Sequence, residues 1–69
     1  MKIEELESFL TAVHLGNLSR AADQLFITQP ALTHRIRALE QELGYELIVR
    51  SPGIRKIKLT PKGQKFMLL

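Results

Sequence analysis

Side chains able to form hydrogen bonds recur along one side of a segment that the spacing of its apolar residues predicts to be a helix. At about 100° per residue, the side facing a core would carry Leu32, Ile36, Leu39 and Leu43. The outward side would carry Pro30, Thr33, His34, Arg37 and Gln41, with Gln29 at its N-terminal edge, and all of these except Gln41 are expected to read bases. Amide, hydroxyl and guanidinium groups match the edges of DNA bases, and a proline ring can contact a thymine methyl group. This face is therefore a candidate for reading bases in a DNA groove, with a solvated surface as the alternative for each residue taken alone.

Catalytic and metal-binding chemistry is poorly represented in the chain. There is no cysteine, and the two histidines, His14 and His34, fall on different predicted helices. The sequence contains no recognisable nucleophile–base pair, phosphate-binding glycine loop or paired-carboxylate pocket. We therefore expect a protein that is not an enzyme and that holds no cofactor within these 69 residues.

The net charge of +3 is unevenly distributed along the chain. Residues 1–46 carry four cations and seven anions, whereas residues 47–69 carry six cations and no anion. A basic region beside an acidic one is typical of a surface that holds a polyanion, although a solvated basic tail is the alternative. The cations of this region that we expect to contact DNA phosphates are Arg50, Arg55, Lys56 and Lys58.

Further contacts to the DNA backbone are expected outside the basic region. Helix N-termini can offer N–H groups to phosphates, and the two such positions are Ser19 and Thr28. Arg35, on a flank of the reading helix, is a further expected contact to the DNA backbone. Two glutamates of the same helix, Glu40 and Glu42, are expected to balance its arginines. The basic region, rather than the reading helix, should then supply most of the attraction to phosphates.

Helical spacing predicts an amphipathic first helix, whose apolar residues are Ile3, Leu6, Phe9, Leu10 and Val13. This helix should end at Gly16, and a short link should lead to a second helix with Ser19 as its N-cap. The small Ala21-Ala22 pair would let another helix pack closely, and Thr28 is the expected N-cap of the reading helix. Because a turn of about three residues separates these two helices, the pattern predicts a helix-turn-helix, with an ordinary helical hairpin as the alternative.

The pattern changes after Gly44, which should end the reading helix. Residues 47–50 and 57–59 are predicted to be two strands joined by a turn at residues 51–53, and Thr60 with Pro61 should restart a helix. The predicted fold class is mainly α: a winged helix-turn-helix with a three-helix core, a two-stranded β-hairpin wing and the start of a linker helix. Residues 1–59 would form the DNA-binding domain and residues 60–69 would begin the linker helix.

The last residues of the sequence are apolar and have no helix cap. We expect the sequence to be the front of a longer protein, cut within a helix. The residues expected to pack against the domain core or a second subunit are Phe66, Met67 and Leu69, with Leu68 between them. No apolar run is long enough to cross a bilayer, and the glutamates that follow Lys2 do not fit a signal peptide. We therefore expect a cytoplasmic protein.

Two runs of the sequence resemble a known family. They read Gly16-Asn17-Leu18-Ser19-Arg20-Ala21-Ala22 and Leu25-Phe26-Ile27-Thr28-Gln29-Pro30-Ala31-Leu32-Thr33. The order and spacing continue through Ile36, Leu39-Glu40, Leu43-Gly44, Leu47, Arg50 and Leu59-Thr60-Pro61-Lys62-Gly63. Over nearly its whole length, the chain is similar to the N-terminal domain of LysR-type transcriptional regulators.

The resemblance implies a winged helix-turn-helix that binds pseudo-palindromic, double-stranded promoter DNA. It implies a linker helix that pairs subunits into a homodimer or homotetramer, and a C-terminal domain, absent here, that binds a small-molecule inducer. In the family, positions matching Gln29, Pro30, Thr33 and His34 commonly meet bases or their neighbours, and those matching Thr28 and Arg50 commonly meet phosphates. Ile48 stands where the family often has phenylalanine, which should alter the packing of the wing but not the fold.

Three functions can be weighed on the sequence. A winged helix can also dock a protein partner, but that would require an apolar patch where Thr33, His34 and Arg37 are expected, and an enzyme would require chemistry that the chain lacks. The leading hypothesis is the sequence-specific DNA-binding domain of a bacterial-type transcription regulator. Under this hypothesis, residues 28–43 read the major groove and residues 50–58 hold the phosphate backbone.

Overall fold

The computed structural model describes residues 1–50 and 56–68 of the chain. These residues form four helices, which are α1 (Ile3–Leu15), α2 (Leu18–Gln24), α3 (Gln29–Leu43) and α4 (Pro61–Phe66). The first three helices pack against one another in all three pairings. The described part of the chain is therefore mainly helical, as predicted, and none of its helices is long and apolar enough to cross a membrane.

Helix α1 turns a narrow side toward the other two core helices. Phe9 and Ala12 are fully buried, and the helix ends, as predicted, at Gly16. Gly16 has a φ of 68°, and its N–H donates to the Ala12 carbonyl over 2.8 Å. Two members of the predicted apolar stripe are instead exposed, Ile3 by 78% and Leu10 by 42%. The predicted stripe is too wide because the neighbouring helices cover only the side centred on Phe9 and Ala12.

Helix α2 begins two residues before the position that the expected cap would give it. Asn17 is the N-cap: its backbone is extended (φ −156°, ψ 125°), and its side-chain oxygen accepts a hydrogen bond from the Arg20 N–H over 3.0 Å. The prediction that Ser19 caps this helix is therefore wrong. Asparagine and serine are both good N-cap residues, and the backbone conformation at Asn17 decides between them.

A tight turn connects α2 to α3. The Ile27 N–H donates to the Ala22 carbonyl over 3.0 Å, and Phe26 adopts a left-handed φ of 57°. Such a conformation costs a side-chain-bearing residue about 1–2 kcal/mol. The Phe26 ring is 94% exposed, so it takes no part in the core. The short turn predicted between these helices is present.

Helix α3 begins and ends where the sequence predicts. The Thr28 hydroxyl oxygen accepts a hydrogen bond from the Ala31 N–H over 3.2 Å at the start of the helix. At its end, Gly44 has a φ of 84° and donates to the Glu40 carbonyl over 2.8 Å. The buried side of the helix consists of Leu32, Ile36 and Leu39, all fully buried, and of Glu40, with Leu43 half-buried. The outward side is thereby fixed relative to the core.

The two segments predicted to form a wing run antiparallel beside each other; residues 47–60 are called the basic segment below. The Val49 N–H donates to the Lys58 carbonyl over 2.8 Å, next to an antiparallel bridge between Ile48 and Leu59. Among the described residues, the pairing consists of isolated bridges and not of the two regular strands expected. The predicted turn and Arg55 lie outside the described residues.

A third stretch of chain pairs with the basic segment. The Ile57 N–H donates to the Gly16 carbonyl over 3.1 Å, and Asn17 forms an antiparallel bridge with Lys56. The sequence predicts only a short link at this point, because pairing between segments forty residues apart has no local signal. The basic segment is thus attached to the residues that begin α2.

Helix α4 begins at its predicted N-cap, Thr60, whose side-chain oxygen accepts from the Gly63 N–H over 2.9 Å. Gly63 is buried where α4 crosses the chain at Leu47. A side chain at position 63 would collide with the Leu47 carbonyl group, so the crossing requires glycine. Three residues on, the Phe66 ring meets the Phe9 ring edge-on, with 5.8 Å between centroids.

Candidate nucleic-acid interface

The outward residues of α3 form one continuous surface. An open depression of about 550 Å³ is lined by Gln29, Pro30, Thr33, His34 and Arg37, which are the five residues predicted to read bases. Thr33 is half-buried and the other four are exposed. They lie together because the opposite side of the helix is held in the core by Leu32, Ile36 and Leu39. We call these five residues the reading face.

The start of α3 offers both a helix terminus and a hydroxyl group. Thr28 is exposed, and its oxygen already accepts the N–H of Ala31. The hydroxyl proton is then the part of this side chain that could donate to a phosphate oxygen. The positive end of the helix dipole lies at the same place and favours an anion there.

A hydrogen bond joins the reading face to α2. The Ser19 hydroxyl donates to the Gln29 Oε1 over 3.0 Å, across the turn between the two helices. This contact is not expected from the sequence, where Ser19 is interpreted as a cap. The only available signal is that Ser19 and Gln29 each lie in the first turn of one of two adjacent helices.

Glu40 is a buried carboxylate in the last turns of α3, with a side chain only 7% exposed. It accepts hydrogen bonds from the Leu47 N–H over 2.7 Å and from the Ile48 N–H over 3.3 Å. Its two oxygens lie 3.0 Å and 2.7 Å from the terminal nitrogens of the Arg50 guanidinium. A buried carboxylate with this many partners is compensated for the water it has lost. Glu40 therefore anchors the start of the basic segment to α3.

The charge balance predicted for α3 is wrong. Glu40 pairs with Arg50, and Glu42 pairs with the N-terminal amine of the chain. Among the described residues, the ion pairs include neither of the α3 arginines, Arg35 and Arg37. The charge of Arg50 is matched inside the protein, whereas the charges of the α3 arginines stay available to a ligand.

The sequence did contain a signal for the burial of Glu40. This residue lies four positions after Ile36 and three before Leu43, which places it on the buried side of the helix. A glutamate in that position requires a partner from another part of the chain. The identity of the partner could not be predicted, because it depends on where the chain goes after Gly44.

Among the described residues, the other cations expected to meet phosphates lie wholly or partly at the surface. Lys56 and Lys58 are exposed, and Arg35 is half-buried. Arg37 borders a second open depression, next to the reading face, which Arg50 also lines. The reading face and the basic segment therefore meet at Arg37.

The apolar residues predicted for dimerisation are divided between the core and the surface. Phe66 packs against Phe9 of the core, whereas Leu68 is 85% exposed and Leu69 lies outside the described residues. An apolar depression of about 240 Å³ between α1 and α4 is lined by Leu6, Leu10, Phe66 and Met67. Packing against the domain core is thus present for Phe66, and pairing with a second subunit stays a prediction.

Comparison with known proteins identifies the family of this arrangement. Residues 3–64 match the family model described as "Bacterial regulatory helix-turn-helix protein, lysR family". The HTH-type transcriptional regulator TfdS of Cupriavidus pinatubonensis is 43% identical over 67 residues, which are 97% of this chain and 22% of that protein. The chain thus spans about a fifth of the length of this curated relative.

Solved structures share the fold. The crystal structure of the CbnR_DBD-DNA complex matches with a TM-score of 0.85 at 37% identity, over 99% of this chain and 76% of that one. The BenM_DBD/catB site 1 DNA complex matches with a TM-score of 0.85 at 40% identity, over 99% of this chain and 71% of that one. The family model, the relative and both structures agree with the helix-turn-helix of α2 and α3. The chain belongs to the LysR family of bacterial regulatory helix-turn-helix proteins, whose helix-turn-helix model it matches over residues 3–64.

Proposed function

We propose that α3 lies in the major groove of double-stranded promoter DNA and reads its sequence. The base-reading residues are Gln29, Pro30, Thr33, His34 and Arg37. The observation that carries the proposal is the single open depression that these side chains line on a helix whose other side is buried. A recognition helix reads base edges mainly with its N-terminal residues, and four of these five lie in the first two turns of α3.

We propose further that the residues around this face hold the phosphate backbone, with the basic segment acting as the wing. The residues are Ser19, through its backbone N–H, and Thr28, Arg35, Arg50, Arg55, Lys56 and Lys58. Phosphate contacts set the position of a protein on DNA without reading its sequence. Because Glu40 already pairs with Arg50, the two lysines should contribute more to phosphate binding than Arg50 does.

For the whole protein, we infer a homodimer or homotetramer that regulates transcription in the cytoplasm and has no enzymatic activity. Residues 1–59 would be its winged domain, and residues 60–69 would begin a linker helix through which subunits pair. A further domain would bind a small-molecule inducer. These inferences rest on membership of the LysR family and on the apolar surface between α1 and α4.

The test is to select bound sequences from a random pool of double-stranded DNA and to titrate the best of them by fluorescence anisotropy. We expect one enriched motif and an affinity that falls steeply as salt rises, because bound phosphates release counterions. A pool in which no sequence is enriched, or an affinity that does not depend on salt concentration, would contradict the proposal. Capture of a protein partner through the reading face in place of DNA would support the alternative function.

A further inference from the structure

One side chain of the reading face is held by another helix before any DNA is bound. Among the described hydrogen bonds, the bond from the Ser19 hydroxyl to Gln29 Oε1 ties this face to α2. Ser19 is half-buried and Gln29 is exposed. Ser19 thus lies beside the proposed base-reading residues and is not the cap of its own helix, a role that Asn17 fills.

We propose that Ser19 is a positioning residue that holds the Gln29 amide in the orientation of the structure, with its oxygen toward α2 and its NH₂ group free to face the DNA. The inference rests on the proposed placement of α3 in the major groove. A glutamine amide carries an acceptor oxygen and a donor NH₂ group, and a half-turn of the amide exchanges them. With Oε1 turned toward Ser19, the NH₂ group is left to meet a base.

A donor held in this way selects among the bases. In the major groove, the N7 atoms of adenine and guanine, the O6 of guanine and the O4 of thymine are acceptors, whereas cytosine presents the N4 donor. The oriented Gln29 therefore accepts a purine or a thymine at its position and rejects cytosine. An amide that was free to turn could present its oxygen to cytosine and would lose this discrimination.

The bond also prepares Gln29 for binding. A long, exposed side chain loses conformational freedom when it contacts a ligand, and a side chain that is already held loses less. In the free protein, water competes for the Ser19–Gln29 bond, but the contact between α3 and DNA would exclude that water. The effect of Ser19 should therefore be felt in the complex more than in the stability of the free domain.

The experiment compares the wild-type protein with Ser19→Ala, Ser19→Thr and Gln29→Ala on the selected DNA site. The position that Gln29→Ala ceases to discriminate is made each of the four bases in turn, and dissociation constants are measured by anisotropy. We expect Ser19→Ala to reduce discrimination against cytosine at that position by roughly threefold to tenfold, the value of one net hydrogen bond. Ser19→Thr keeps the hydroxyl group and should keep the discrimination.

Further readouts separate positioning from other roles. Where the preferred base is a purine, its 7-deaza analogue lacks the N7 acceptor and should weaken wild-type binding. Ser19→Ala should leave the salt dependence, the preferences at other positions and the unfolding midpoint unchanged. An equal loss of affinity for all four bases in Ser19→Ala would overturn the inference, since it would indicate a phosphate contact of the hydroxyl group or a structural role.

The outcomes also distinguish this inference from the proposed function. If Gln29→Ala changes a base preference and Ser19→Ala does not, Ser19 has no positioning role, although α3 reads DNA. If the wild-type protein shows no base preference at any position, the proposed placement of α3 fails, and the inference fails with it.

Discussion

The reading face of α3 and the basic segment both present polar and charged groups to the surface, but they are held in different ways. The reading face belongs to a 15-residue helix whose opposite side is buried along most of its length. The described parts of the basic segment are tied at separate points: the Glu40 carboxylate, the Gly16 carbonyl and the crossing at Gly63. A regular helix holds side chains in set directions, which base reading requires. Attachment at separate points is enough for charges that meet phosphates.

The ion pairs change which cations of the two regions are available to attract phosphates. By sequence, Arg50 is part of the basic segment, yet its guanidinium is matched by Glu40. Arg37 belongs to α3, and no carboxylate among the described residues pairs with it. Under the proposed function, attraction to phosphates should therefore be divided between the two regions, with Lys56 and Lys58 on one side and the α3 arginines on the other.

The largest effect is expected when the Glu40 carboxylate, which joins the reading helix to the basic segment, is removed. Glu40→Ala would leave the Leu47 N–H and the Arg50 guanidinium without their partner, which should lower the free energy of unfolding by about 3–5 kcal/mol. Urea unfolding followed by circular dichroism measures the loss. Glu42→Ala is the matched control, because removing this exposed carboxylate should change the free energy of unfolding by less than about 0.5 kcal/mol. Equal losses in the two variants would show that Glu40 is not the anchor.

The second attachment can be tested at Gly63. In an ordinary exposed helix, replacing glycine by alanine stabilises by about 1 kcal/mol. Here the methyl group would collide with the Leu47 carbonyl, so Gly63→Ala should destabilise by about 1–3 kcal/mol. The shift of the thermal unfolding midpoint shows whether Gly63→Ala stabilises or destabilises the domain. Gln64→Ala, a substitution at the exposed neighbouring residue, is the control and should leave the midpoint nearly unchanged. A stabilised Gly63→Ala variant would mean that the crossing is looser than the structure indicates.

On the reading face, Gln29→Ala should change the preference among DNA sequences and should leave the free energy of unfolding unchanged. Truncating a residue that makes a good base contact costs about 1–3 kcal/mol of discrimination against the wrong base. We expect weaker binding to the selected site and an unchanged affinity for unrelated DNA, measured by anisotropy. Gln41→Ala, an exposed glutamine further along α3, should change neither. A uniform loss across all sequences would place Gln29 among the phosphate contacts.

The smallest effect is expected from a single cation of the basic segment. Lys58→Ala should weaken binding to all sequences alike and reduce the slope of log affinity against log salt by about 1, since one phosphate contact is lost. Lys58→Arg keeps the charge and should keep the slope. A changed base preference in Lys58→Ala would contradict the division between a region that reads and a region that holds.

Much of the fold follows from local signals. The helix ends at Gly16 and Gly44, and the caps at Thr28 and Thr60, could be predicted because each involves residues within one turn of each other. The wrong cap at Ser19 shows the limit of such signals, because a second good cap stands two residues away. The overestimated stripe of α1 has a related cause: helical spacing shows which side is apolar, but the neighbouring helices decide how much of that side is covered.

The order of residues was sufficient to sort α3 into a buried and an outward side and to locate the excess of cations after residue 46, since helical periodicity and charge are properties of the chain itself. The pairing of Glu40 with Arg50, the bond from Ser19 to Gln29 and the crossing of Gly63 over Leu47 emerged when the helices packed. Each joins residues ten or more positions apart. No local pattern encodes such contacts, because they depend on the relative placement of whole elements.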